Sequence, residues 1–422
     1  MVCITPILNR HITSNLTYLS AWAYYNPKPY SCFWFPHQPY NSMARLDPFL
    51  TVNSRSPIAR LISSSHDADN LYGLLVRLSF NDNEPPSLAT RHAISALSYQ
   101  HLSMERTAIM HRTSAIRALQ NAIGYLEPSQ IIQTTAASML LSVAEILNYE
   151  ASIPSWYIFF CGTKNLLRQA TQKGGTCTED GALIMDWIFY HDAMYMFSVR
   201  HWGHKRGHQK KISRWKTMMS KATSASESHV VVPTIGCSLE LLNLLCEVVH
   251  AILDREDPSY HSQAHLKRIR ALEIRLRGLE QCPDGVSGIE PEEKAHRSNI
   301  AELFRLATLT YLYRVAKGES RESIDANTII ERAFALLRNV KNCERPWSLF
   351  IIALEARTEH HRAIVLEILK ESLRMQPVGM IALTKRMIHD AWVQQDLHDE
   401  EIDPLTLYGL IISRSRVPPC FA

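Results

Sequence analysis

From about residue 45 onward, apolar positions recur with helical spacing. Between Gln130 and Asn148 they fall at Ile132, Ala136, Met139, Leu140, Val143 and Leu147. That i, i+3/i+4 spacing lays one stripe of a helix against a core. Pro128 and Ser129 stand just before it, where a helix should begin. A second stripe runs Leu241, Leu245, Val248, Ile252. A third runs Leu266, Ile269, Leu272, Leu276, Leu279, with Lys267, Arg268, Arg270, Arg275 and Arg277 mostly off it. Others run Ile300, Leu303, Phe304, Ala307, Tyr311 and Ile330, Ala333, Leu336, Leu337, Val340, and a last set spans Pro346 to Met375 and Met380 to Trp392. Breaker clusters separate them: Asn81 to Ser87 with Pro85 and Pro86, Thr171 to Gly181, Thr217 to Gly236, and Gln281 to Glu290. Only Val230 to Val232 hints at a strand. The expected fold is all-α: a large antiparallel bundle or array of about a dozen helices, without a strict internal repeat.

Residues 1–43 break the pattern. They hold nine aromatics (Tyr18, Trp22, Tyr24, Tyr25, Tyr30, Phe33, Trp34, Phe35, Tyr40), interrupted by Pro27, Pro29, Pro36 and Pro39. Proline removes a backbone donor and blocks regular helix. Two readings stay open: an irregular segment draped over the domain, or sequence outside the mature protein with Met43 as its start. The expected organisation is an irregular segment at 1–43, a helical domain at 44–410 and a C-terminal tail at 411–422.

Composition narrows the function classes. Only 15 of 422 residues are glycine, about half of ordinary usage, which argues against glycine-rich phosphate loops. The charge balance, 45 basic against 41 acidic residues, gives a net +4. So mild an excess does not by itself imply nucleic-acid binding. The nine cysteines include no pair closer than Cys237 and Cys246. A zinc site normally starts with ligands two to four residues apart, so no metal site and no cofactor is expected. Reduced thiols in an intracellular compartment are the plain reading. The longest membrane-span candidate, Ile131 to Leu147, is broken by Gln133, Thr134, Thr135 and Glu145 and is shorter than the ~20 apolar residues a span needs. No secretory signal is visible.

No GxGxxG, P-loop, GxSxG or HExxH motif occurs, so no catalytic residue is assigned. His201, His204 and His208 have i, i+3, i+7 spacing, but Gly203 and Gly207 weaken a helix there. A solvated helix end and basic loop is the favoured reading, with a metal site as its rival. Lys205, Arg206, Lys210, Lys211, Arg214 and Lys216 form a basic cluster that reads as a candidate nuclear-import patch. Leu241-Leu242-Asn243-Leu244-Leu245 has an LxxLL form that could dock in a partner groove, against the plainer reading of a core helix. The basic-flanked stripe Leu266 to Leu279 is a candidate dimer seam but lasts only two heptads. Adjacent His360 and His361 face different ways on a helix, so one should be exposed. Cys237 and Cys246 have no evident base and read as core or loop thiols.

Several stretches resemble the α-helical regulatory domain of fungal-specific transcription factors, the middle homology region that follows a Zn2Cys6 cluster. They are Arg91 to Ser98 (RHAISALS), His111 to Leu119 (HRTSAIRAL), Gln133 to Leu141 (QTTAASMLL) with Glu145 and Ile146, then Trp156, Gly162 and Lys164. Tyr190 to Ala193 leading to Phe197 to Trp202, Pro346 to Ala356 (PWSLFIIALEA), and Ala391-Trp392 complete the series. The likeness covers roughly residues 45–400 in order. It implies an all-α regulatory domain, nuclear rather than cytoplasmic, that controls a metabolic gene set, with a secondary-metabolite cluster as the extension. Its implied means are contacts with other transcription regulators or coactivators, homo- or heterodimerisation, and ligand sensing in a crevice between helices. Trp156, Trp202, Trp347 and Trp392, with Phe350, would be structural anchors. Glu145 and Glu355 look like buried carboxylates needing Arg or His partners. The departure is the DNA-reading module: it needs six close cysteines, and the N-terminal region offers only Cys3 and Cys32. Direct DNA contact through that module is not carried over. Two rivals remain, a helical scaffold or adaptor without a transcriptional role and an all-α enzyme of the terpene-cyclase kind. The latter needs clustered aspartates, for which Asp254 to Asp257 (DRED) is the nearest approach.

Overall fold

In a computed structural model, the residues described are 62, 68–124, 127–147, 156–172, 179–202, 228–283, 290–343, 345–375, 379–398 and 400–422. The segment 1–43 lies outside them. Among the described residues the chain is nearly all helix. The α-helices, in chain order, are α1 (Ala68–Phe80), α2 (Pro85–His101), α3 (Glu105–Gly124), α4 (Ile131–Leu147), α5 (Trp156–Gln172), α6 (Glu179–Trp202), α7 (Leu239–Ala251), α8 (Gln263–Arg277), α9 (Pro291–Tyr311), α10 (Ile324–Leu337), α11 (Pro346–Ala353), α12 (Glu359–Met375), α13 (Gly379–Leu397) and α14 (Pro404–Ile412). No described helix is long and apolar enough to cross a membrane. The chain divides into two compact units, one built mainly from α2 to α5 and the second half of α1, the other mainly from α6 to α14.

In the first unit, Pro85 and Pro86 open α2 instead of breaking the chain. The first turn of a helix has N–H groups without intrahelical partners, so proline costs nothing there. α2 buries small residues, among them Ala89, Ala93, Ser95, Ala96 and Ser98, which lets α3 approach closely along its length. The α2–α3 turn places Ser103 at φ 58°, and the N–H groups of Leu102 and Met104 bond back to the Ser98 and Tyr99 carbonyls at 3.1 and 2.8 Å. α4 is buried on nearly all sides, wider than the single stripe expected. Thr134 through Ile146 are all buried, as in a helix at the centre of a layer. Its serines pin it: Ser138 Oγ donates to the Phe159 carbonyl at 2.9 Å and Ser142 Oγ to that of Trp156 at 3.1 Å.

The second unit is organised around α6 and α9. The strand hint at Val230 to Val232 becomes a two-residue strand β1 (Val231–Val232), antiparallel to β2 (Cys237–Ser238), with Val230 bridging Cys282. Ser238, Ser262, Ser323 and Asp403 cap α7, α8, α10 and α14 by accepting first-turn N–H groups. All eight residues of α11 are buried. Beyond α14, Cys420 and Phe421 are buried in the core.

Candidate functional site

The residues singled out from sequence do not converge on one place. Lys205, Arg206, Lys210, Lys211, Arg214 and Lys216 lie outside the described residues, as do His204 and His208. Trp156 is buried in α5 of the first unit. Trp202, half-buried at the end of α6, donates its Nε1–H to the Ser415 carbonyl at 2.9 Å. Trp347 in α11 is fully buried and stacks on Phe304, with centroids 5.0 Å apart. Trp392 in α13 donates to the Ala353 carbonyl at 2.7 Å, and the Arg362 guanidinium lies over its ring at 5.2 Å. The leucines of the LxxLL motif are all fully buried, so that helix face is core.

His201 corrects the reading of a solvated helix end. α6 continues through it, and the imidazole is buried one turn past Phe197, with Nε2 2.6 Å from the Tyr311 hydroxyl. Around this pair Phe197, Tyr311, Trp347, Phe350, Tyr408 and Phe421 meet edge to face or tilted, with centroids 4.9–6.4 Å apart. Among the described residues, the Tyr408 hydroxyl and the Trp347 Nε1–H have no hydrogen-bond partner. Burial, then Glu355 and Tyr311, push the Tyr408 phenol well above its ordinary pKa.

Beside this aromatic core lies a buried ionic knot. α9 runs into a π-helical turn, Leu312–Lys317, closed by Gly318 at φ 72°. A Cβ at Gly318 would meet only the movable end of the Arg255 side chain, so it is the left-handed φ that suits the position to glycine. The turn carries Arg314 inward. Its Nε donates to Glu355 Oε1 at 3.1 Å, and the side chains are 2% and 5% exposed. Its other nitrogens reach Glu401 and the Glu319 carbonyl. Burial opposes the Arg314 charge, but Glu355 and Glu401 outweigh it and raise the pKa. Burial likewise works against the Glu401 carboxylate, yet the Arg321 N–H at 3.0 Å and Arg314 hold it low. The Glu355 expectation of a buried carboxylate with an Arg partner thus finds Arg314, and Glu145 is also buried. The partner itself was missed. Its one signal is the run Thr308 to Ala316 (TLTYLYRVA), too apolar for a surface turn yet holding one arginine.

This interior holds elements together and offers little to react. Burial pushes the Cys237 thiol well up and the Cys420 thiol to about 12, while burial and Arg345 press His191 down to about 3. Those thiols stay protonated and poorly nucleophilic. The DRED residues serve as links: Asp254 faces Arg200 at 3.7 Å and Arg255 pairs with Asp403 at 3.1 Å. Among the described residues no group of three or more His, Cys, Asp or Glu is placed to hold a metal. A crevice between α9, α10, α11 and α12, lined by Leu303, Leu337, Asn342, Arg345, Ser348 and Ile368, has an interior space of about 20 Å³. That suffices for a water or two.

The class these features define is a nearly all-helical protein whose buried polar groups brace helices. A family model for the fungal specific transcription factor domain matches residues 52–408. The chain is also similar to the protein named transcription factor iacI of Pestalotiopsis fici, 25% identical over 363 residues that make up 84% of this chain and 90% of that one. No solved structure matches. The chain belongs to the fungal-specific transcription factor domain family, and that membership points to transcription regulation and away from an enzyme.

Proposed function

We propose that this chain is a nuclear transcription regulator that acts through protein–protein contacts on a metabolic gene set, with a secondary-metabolite cluster as the first candidate. The supporting observation is the family match across 52–408. On this reading the Zn2Cys6 module is missing from the chain, whose nearest two cysteines are Cys237 and Cys246. Other transcription regulators or coactivators, in a heteromer or a dimer, then bring it to promoters. The basic cluster from Lys205 to Lys216 is the import signal. Ligand sensing in a crevice between helices is the finer extension of this reading.

The test is a fluorescent fusion together with a tethered reporter. The wild-type fusion is expected in the nucleus. Replacing Lys205, Arg206, Lys210, Lys211, Arg214 and Lys216 with Gln is expected to move it to the cytoplasm. Tethered through a heterologous DNA-binding module, the chain is expected to raise or lower reporter output. A cytoplasmic wild-type fusion with a silent reporter contradicts the reading and favours an adaptor.

A further inference from the structure

The basic-flanked leucine stripe splits into two faces in α8. Ile269, Leu272 and Leu276 turn inward and are buried, and α8 packs against α7 and α9. Leu266 and Ile274 turn outward, 50% and 64% exposed. They are eight residues apart, about two turns on the same side of the helix, with Arg270 one turn from each. Lys267 borders the same face, and Arg277 closes its end, paired with Glu273 at 3.3 Å. Lys267 and Arg270 are exposed and have no ion-pair partner among the described residues. Arg277 also stands 3.8 Å from Asp325, which brings the start of α10 alongside, and Ile324 there is 82% exposed.

We infer that this outer face of α8 docks an acidic amphipathic segment of a partner protein. The inference rests on the reading of the chain as a protein-contact regulator and names the surface and the partner chemistry. Two aliphatic side chains flanking an unpaired arginine match a helix that offers apolar anchors at i, i+3 or i+4 between Asp or Glu residues. A second copy of this chain fits poorly, because a two-fold contact would set Arg270 and Lys267 against themselves. Nucleic acid also fits poorly: it rewards many cations, and this face spends its centre on Leu266 and Ile274.

The probe is a labelled 18-residue helical peptide with Leu at every third or fourth position and Glu elsewhere, followed by fluorescence anisotropy against the full chain. Wild type is expected to bind it, and to ignore the same peptide with Lys in place of Glu. Arg270→Glu with Ile274→Asp is expected to weaken binding at least tenfold, at unchanged circular dichroism and melting temperature. Lys385→Glu, on exposed α13 surface, is expected to leave it unchanged. Ile274→Ala alone tests the apolar anchor should the double variant misfold, and a loss of threefold or more is expected. Absence of binding by wild type, or equal binding by the double variant, overturns the inference. So does loss of self-association in the double variant by sedimentation, or a duplex DNA that binds the same face more tightly than the peptide. Failure of the peptide to bind while the tethered reporter still responds removes this surface only; a silent reporter removes the broader reading.

Discussion

Replacing Glu355 with Gln tests the ionic knot at its best-buried carboxylate. The change keeps the side-chain volume and removes the charge facing Arg314 Nε at 3.1 Å. A charge-assisted hydrogen bond contributes about 1.5–3 kcal/mol, and stranding one partner of a buried pair costs about 3–5 kcal/mol. Arg314 is not fully stranded, since it keeps Glu401, whose side chain is 29% exposed. The expected loss is therefore about 2–3 kcal/mol, or about 5–10 °C in melting temperature for a body of this size. Arg314→Met should cost more, about 3–5 kcal/mol, because it leaves Glu355 without its cation in the core. The next cation, Arg357, is directed at the Arg321 carbonyl at 2.8 Å. The double variant should be no less stable than Arg314→Met alone, which is a coupling of about 2 kcal/mol. Urea unfolding followed by both tryptophan fluorescence and far-ultraviolet circular dichroism gives these values and tests whether one transition suffices. A Glu355→Gln loss under about 0.5 kcal/mol, or additive single costs, would refute the assignment of Arg314–Glu355 as a coupled brace.

Three further outcomes follow from the same physics. Tyr408→Phe removes a buried hydroxyl with no partner among the described residues, so it should be neutral or stabilising by up to about 1 kcal/mol, and a loss above that would show an acceptor in solution. His92 is pressed down to about 4 by burial first, then by His111, whose Nδ1 is 3.0 Å away. A histidine pKa lowered by folding means the unfolded chain binds the proton more readily, so its contribution is intact above about pH 6.5 and is lost as the pH falls toward 4. His92→Gln should therefore gain on wild type by about 1–2 kcal/mol between pH 7.5 and pH 5; a pH-independent difference in urea midpoints contradicts it. Gly318→Ala, at φ 72°, should cost about 1–2 kcal/mol in the same assay, and a neutral result would show that the turn rearranges freely.

The sequence carried the helical elements well because burial on one face leaves a period that survives in the residues themselves. Ile269, Leu272 and Leu276 were legible as a seam, but not that α7 and α9 consume it while Leu266 and Ile274 face outward. Spacing gives a face and not its neighbour. The prolines at 85 and 86 read as breakers because a helix-initiating and a helix-ending proline look alike without backbone geometry. Glu355 was legible as a carboxylate within an apolar run, whereas Arg314 was not: 41 residues separate them, and only the π-helical turn rotates Arg314 inward. At His201 the sequence misleads: Gly203 and Gly207 imply a helix end there, whereas α6 runs through it to Trp202.

Transcript profiling after deletion of the gene tests the central claim most directly. The account expects a coherent set of metabolic genes to change in level, restored by the wild-type chain. Unchanged transcripts, under conditions in which the protein is present, would contradict it.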